Sequence, residues 1–209
     1  MRISVALCTY NGAIYLSEQL QSLMRQSRLP DELIICDDAS TDDTLTIARG
    51  FADQAPFVTR IFANADRVGT SKNFERALIA SSGDIIALCD QDDVWLPNKL
   101  AKLSFIFAAH PQAGYVFSDA LVVDKHLKPL NPPQQLWSSV GFTDEDIEMF
   151  CTCDATWQVQ RLLRRTLVTG TTMAFRSHLR KFILPIPSEW VHDAWISLVL
   201  SIMVGMACL

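Results

Sequence analysis

The first 120 residues alternate between short runs of consecutive apolar residues and longer stretches where apolar residues recur every three or four positions. Ile3, Val5, Ala6, Leu7 and Cys8 form the first run, which breaks at Thr9, Tyr10, Asn11 and Gly12. Ile14, Leu16, Leu20, Leu23 and Met24 then keep helical spacing and predict a helix over 13–27. Later runs predict strands over 33–36, 58–63, 84–89 and 115–118. Helices are expected between them. One is capped by Ser40 or Thr41, with Asp42 and Asp43 in its first turn; one covers 71–80; one runs from Pro97 to about Ala109. Strands that are apolar at nearly every position, rather than at every second one, belong to a parallel sheet covered on both faces. The expected fold class is α/β, a mostly parallel sheet with helices on both sides.

The regularity fades after residue 120. Residues 124–150 hold Pro129, Pro132, Pro133 and the acidic group Asp144, Glu145 and Asp146, and are expected to form a long loop or small helical insertion. A helix is expected over 154–166, with Arg161, Arg164 and Arg165 as a basic stripe on a solvated face. A strand over 169–175, entered through Gly170, and a last helix from His192 and Asp193 complete the pattern. From Ala194 to Leu209 no residue is charged. That run is short for a membrane span and reads as a buried helix, with membrane contact as the second reading. The chain stops inside this run, which suggests C-terminal truncation. No linker divides it, so 1–209 reads as a single domain.

Composition narrows the function classes. With 49% hydrophobic and 20% charged residues, a packed core is expected rather than a disordered chain. A net charge of −5 offers no general basic surface, so nucleic acid is an unexpected partner. The six cysteines include no CxxC pair, and Cys8, Cys36 and Cys89 each close an apolar run as small buried hydrophobes. With no secretory signal either, a reducing, cytoplasmic setting is expected.

Ligands of open α/β sheets bind beyond the carboxyl ends of the strands. Here those ends carry Thr9, Tyr10 and Asn11; then Asp37 and Asp38; then Asn64 with Arg67 and Lys72; then Asp90, Asp92 and Asp93. Three carboxylates within four residues repel one another unless a cation neutralises them. Mg²⁺ or Mn²⁺, held by one or two carboxylates and by phosphates, answers that need. No GxGxxG follows the first strand and no GxxxxGK[ST] is present, which disfavours a nicotinamide dehydrogenase and a P-loop NTPase.

These pieces, in this order, resemble the family 2 glycosyltransferases, with the GT-A fold. They are Ser4-Val5-Ala6-Leu7-Cys8-Thr9-Tyr10-Asn11, Cys36-Asp37-Asp38-Ala39-Ser40, Lys72-Asn73, Asp90-Gln91-Asp92-Asp93-Val94-Trp95, Gly170-Thr171-Thr172 and His192-Asp193. The last two acidic pieces look most like a rhamnosyltransferase-like branch that builds bacterial surface polysaccharide. The resemblance implies that 1–120 binds a nucleotide-diphosphate sugar, dTDP- or UDP-linked, and that 121–209 is the acceptor side. Thr9, Tyr10, Asn11, Asp38, Lys72, Asp90 and Asp92 would bind the donor. Tyr10 would lie against the base, and Asp38 would accept from the ring N–H of uracil or thymine. Asp90 and Asp92 would hold the metal. Asp193 would be the general base of an inverting transfer, with Thr171, Thr172 and His192 facing a saccharide or lipid-linked acceptor. Contact with the inner face of a membrane fits such an acceptor.

Two other classes share part of the signal. A chain that binds a nucleotide sugar without turning it over is one. A haloacid-dehalogenase-like phosphatase, whose DxDx[TV] loop matches Asp90 to Val94, is the other. In that class the loop follows the first strand, and here it follows the fourth.

Overall fold

The computed structural model describes residues 1–152, 155–204 and 206–208. Four βα units come first: β1 (Ile3–Thr9), α1 (Leu16–Met24), β2 (Glu32–Asp37), α2 (Thr44–Ala52), β3 (Val58–Ala63), α3 (Thr70–Ala80), β4 (Ile85–Cys89) and α4 (Lys99–Ala109). Then follow β5 (Tyr115–Phe117), β6 (Leu121–Val123), β7 (Pro129–Gln135), α5 (Leu136–Ser139), α6 (Asp144–Thr152) and α7 (Ala155–Arg164). A 3₁₀ turn at Gly170–Thr172 leads into β8 (Met173–Arg176), α8 (Arg180–Ile183), α9 (His192–Met203) and β9 (Met206–Cys208).

The main sheet has the order β3-β2-β1-β4-β8-β5-β9. β1 pairs in parallel with β2 and β4, and β2 with β3. β8 runs antiparallel between β4 and β5. The polarity of β8 was not legible in the sequence, because a buried antiparallel strand is as uniformly apolar as a parallel one.

Two cores explain why the central strands β1, β2 and β4 are mostly apolar. Ile3, Val5 and Leu7 of β1 pack with α1, α2 and α4 on one face. Ala6 and Cys8 of the same strand pack with Phe74 and Leu78 of α3 and Ile196 and Leu200 of α9 on the other. Successive side chains point to opposite faces, so burial on both sides admits a polar residue only where it finds a partner, as Ser4 of β1 does in Glu32 of β2. Cys8, Cys36 and Cys89 are buried free thiols, as expected of small hydrophobes.

The proline-rich stretch departs from the expected loop. Pro129–Gln135 forms the edge of a separate two-stranded sheet with β6, exposed at every position. Proline is tolerated there because an exposed edge strand need not donate along its whole length. Of the basic stripe, Arg164 and Arg165 are exposed as expected, and Arg161 departs from expectation. Arg161 donates from Nε to Asp146 Oδ1 at 2.7 Å and from Nη2 to the carbonyl of Gly141 at 3.2 Å, stapling α7 to the start of α6. Asp154, where the helix over 154–166 was expected to start, lies outside the described residues. The apolar C-terminal run is not one buried helix: α9 ends at Met203, and Ile202 and Met203 are exposed. Gly205 and Leu209 of that run lie outside the described residues. Among the described residues no helix is long and apolar enough to cross a membrane.

Candidate active site

The order β3-β2-β1-β4 reverses direction at β1. The crevice beyond such a switch point is where open α/β sheets bind ligands. A cavity of about 180 Å³ lies there, lined by Thr9, Tyr10, Asp38, Arg67, Asn73, Phe74, Asp90 and Asp92 among others.

Each wall follows from local chemistry. The Thr9 hydroxyl donates to Asp37 Oδ2 at 2.8 Å, closing the ends of β1 and β2 together. Gln91 clamps the next residue from the acidic loop: Tyr10 N–H donates to Gln91 Oε1 at 2.9 Å, and Gln91 Nε2 returns a bond to the Tyr10 carbonyl at 3.1 Å. The backbone is thus pinned while the ring stays in the cavity. The Arg67 guanidinium lies over that ring, 4.0 Å from its centroid.

Asp38 is almost fully buried, and it organises the loop after β3. Its Oδ1 accepts from Asn64 Nδ2 at 2.9 Å and from the Val68 amide at 2.7 Å; its Oδ2 accepts from the Gly69 amide at 2.9 Å. Gly69 has a φ of 88°, a conformation that favours glycine and aims its N–H at the carboxylate as α3 begins. A carboxylate has about four acceptor sites, so three donors leave room for one more.

Two residues expected at the donor site stand elsewhere. Asn11, with a φ of 47°, donates its backbone N–H to Ser40 Oγ at 2.9 Å and accepts from the Thr41 amide on Oδ1 at 2.9 Å. It ties two loops together and does not line the cavity. Lys72 donates to Glu75 Oε2 at 3.0 Å and to the Ile186 carbonyl at 2.8 Å, anchoring α3 to the segment before α9. Arg67 is the cation that faces the cavity instead.

The acidic end of β4 is strongly polarised. Burial, and after it the like charges of Asp93, Asp92 and Asp193, push the Asp90 carboxyl up to about 7. Burial likewise raises Asp93. Both groups therefore gain from an added cation. Among the described residues no three His, Cys, Asp or Glu side chains form a metal site by themselves. A Mg²⁺ or Mn²⁺ site completed by phosphate needs only one or two carboxylates, and Asp90 with Asp92 on the cavity wall fits that donor set.

Asp193 opens α9 on the far side of the Gly170–Thr172 turn. Its Oδ2 accepts from the Gly170 amide at 3.1 Å. His192 is buried, stacked on Phe74 with ring centroids 3.9 Å apart, and among the described residues neither ring nitrogen has a hydrogen-bond partner. Burial lowers its pKa to about 4, so the ring is neutral near pH 7. Thr171 and Thr172 are buried: Thr172 Oγ1 bonds the Thr169 carbonyl at 2.7 Å, and Thr171 Oγ1 accepts from Trp95 Nε1 at 3.4 Å. The Thr172 hydroxyl closes the turn, and the Thr171 hydroxyl ties it to Trp95.

A profile of the family described as "Glycosyl transferase family 2" matches residues 4–170. The chain belongs to glycosyl transferase family 2. An uncharacterised glycosyltransferase of Nostoc sp. is 33% identical over 114 residues, 54% of this chain and 35% of the relative. The dTDP-rhamnosyl transferase RfbG of Shigella flexneri is 35% identical over 98 residues, 45% of this chain and 34% of the relative. The chain thus spans about a third of the length of these relatives.

Solved structures share the family's GT-A fold. S. aureus TarS in complex with UDP superposes with a TM-score of 0.72 at 20% identity, over 100% of this chain and 58% of that one. The mannosyltransferase PcManGT of Pyrobaculum calidifontis, in complex with GDP-Man and Mn²⁺, gives 0.70 at 20% identity, over 100% and 54%.

Within the family 2 pattern, sequence reasoning missed three residues that shape the site. Gln91 sits inside the acidic motif, where its neighbours drew attention. Arg67 was noted only as a nearby cation. Lys99 follows Pro97 by two residues at the start of a helix, where a lysine ordinarily reads as solvated. Its ammonium instead donates to the Thr171 carbonyl at 2.7 Å, and burial lowers its pKa to about 8.

Proposed function

We propose that the chain is the donor-binding and catalytic part of an inverting, metal-dependent glycosyltransferase. It moves a sugar from a nucleotide-diphosphate donor to a saccharide or lipid-linked acceptor in bacterial surface polysaccharide synthesis. The observation that carries the reading is the convergence of Asp90, Asp93 and Asp193 on one short turn beside the cavity that holds Tyr10 and Asp38.

The donor base lies against Tyr10, and the last acceptor site of Asp38 takes the ring N–H of uracil or thymine. Asp90 and Asp92 would hold Mg²⁺ or Mn²⁺, which would supply Lewis-acid stabilisation to the leaving diphosphate. Asp193 takes the proton of the acceptor hydroxyl. That oxygen bonds the anomeric carbon from the face opposite the nucleotide, the carbon–oxygen bond to the diphosphate breaks, and its electron pair departs with the nucleoside diphosphate. The configuration inverts. A positioned base contributes about 10²–10⁴ in rate. Rhamnose as the sugar is supported by the 35% identity to the relative named dTDP-rhamnosyl transferase.

The test is release of nucleoside diphosphate from dTDP-rhamnose and from UDP-glucose, each with and without Mn²⁺. Metal-dependent release from either supports the reading, and preference for dTDP-rhamnose supports the branch. Metal-dependent nucleotide binding without release would favour a binding domain.

A further inference from the structure

We propose that Lys99 is a positioning residue: it locks the Gly170–Thr172 turn and thereby holds the acidic loop after β4 and Asp193 as one unit. This rests on the transfer reading above. Thr171 is gripped from below by Trp95, in the loop before α4, and by Lys99, the first residue of α4. Lys99 Nζ donates to its carbonyl at 2.7 Å, and Trp95 Nε1 donates to its hydroxyl at 3.4 Å. The ammonium itself lies 4.5 Å from the centroid of the Trp95 ring, which is 4% exposed.

From the other side the same turn meets the functional carboxylates. The Thr171 backbone N–H faces Asp90 and the Thr171 hydroxyl faces Asp93. One residue earlier, the Gly170 amide donates to Asp193 at 3.1 Å. Two adjacent residues, Gly170 and Thr171, therefore link the base to the acidic loop. Gly170 makes the close approach possible: a Cβ there would stand 2.7 Å from His192 Nε2 and 3.6 Å from the Asp193 Cβ.

A buried ammonium is costly unless its bonds are met. An apolar residue would fill the volume under Trp95 at less cost, but it could not hold the Thr171 carbonyl. Lysine suits the place because a compact cation on a flexible stem reaches that carbonyl while keeping Asp93 and Asp90 as counter-charges.

The experiment compares Lys99→Met and Lys99→Arg in the full chain by amide hydrogen exchange and by donor turnover. In Lys99→Met, exchange over 167–173 rises about tenfold while a β2 peptide is unchanged. Turnover falls about tenfold with donor KM held within about threefold, and Lys99→Arg restores both. In an Asp193→Asn background Lys99→Met adds less than about twofold, because the two act through one unit. Lys99→Gln, which keeps a donor without the charge, carries the comparison should Lys99→Met not fold. Unchanged exchange in the turn, equal loosening of β2, or additive effects with Asp193→Asn would overturn the proposal. If the unmodified chain turns over no donor while the exchange result holds, the transfer reading fails and the locking of the turn stands.

Discussion

The imidazole of His192 lies flat on the ring of Phe74, centroids 3.9 Å apart and planes 13° apart. The contact joins the residue before the proposed base to a residue that lines the cavity beyond β1 and β4. It also gives stability a pH dependence. Burial lowers the His192 pKa from 6.5 to about 4. The unfolded chain then binds a proton that the folded chain refuses, so this contribution is full above about pH 6.5 and is lost progressively as pH falls toward 4. His192→Phe keeps the stack and removes the titration. Melting temperatures followed from pH 7 to pH 4 will fall less in His192→Phe than in the unmodified chain.

Glu32 gives a second pH signature with the opposite chemistry. Burial works against its charge, but hydrogen bonds from Ser4, Ser82 and Arg60 outweigh it and lower the pKa from 4.5 to about 2. Its stabilisation is present above pH 4.5 and is lost as pH falls toward 2. Glu32→Gln, which weakens charged hydrogen bonds, costs about 1–3 kcal/mol near neutral pH by denaturant titration, and the deficit narrows in acid.

Asp38 ties the loop after β3 to the end of β2 through three N–H donors. Asp38→Ala strands those donors, so it costs about 1–3 kcal/mol of stability. It also removes the acceptor for a pyrimidine N–H. Isothermal titration will show loss of affinity for UDP or dTDP in this variant, larger than the loss in Asn11→Ala, whose side chain stands outside the cavity.

Gly170→Ala tests the close packing beside the base. The added methyl meets His192 Nε2, which belongs to a ring held against Phe74 and has little room to retreat. Overpacking of this kind costs about 1–3 kcal/mol. Donor turnover will fall further than nucleotide affinity, because the displaced group neighbours Asp193 rather than the cavity.

How far the sequence could be read follows from what each signal measures. Doubly buried strands and their intervening helices were legible because burial on both faces leaves few polar residues in whole runs, as from Ile3 to Cys8, where only Ser4 is polar. The positions after the strands were legible for the same reason: Tyr10, Asp38, Asp90 and Asp92 interrupt apolar runs and do meet at one cavity. Side-chain direction was not legible. Asn11 shares a loop, and Lys72 a helix, with cavity residues, yet their polar atoms are bound by Thr41 and by Glu75 and Ile186. The exposed hairpin containing Pro129, Pro132 and Pro133 was missed because it lacks an apolar face, the one feature that marks a strand in sequence. The role of Lys99 depends on a carbonyl more than 70 residues away, and no local pattern records that.

Asp193→Asn separates binding from chemistry. The account expects metal-dependent nucleotide affinity to be unchanged and transfer to fall by about 10²–10⁴. Wild-type transfer in this variant would assign the base elsewhere.

The most direct measurement is thermal stability of the chain and of Asp92→Asn against UDP, dTDP, GDP and ADP, each with Mn²⁺, with Mg²⁺ or with neither. A ligand bound only by the folded state adds about 2.7 kcal/mol at a hundredfold excess over its Kd. The account predicts a metal-dependent rise with UDP or dTDP in the unmodified chain and none in Asp92→Asn. No rise with any nucleotide, or an equal rise in Asp92→Asn, would contradict a metal-held nucleotide-diphosphate at this site.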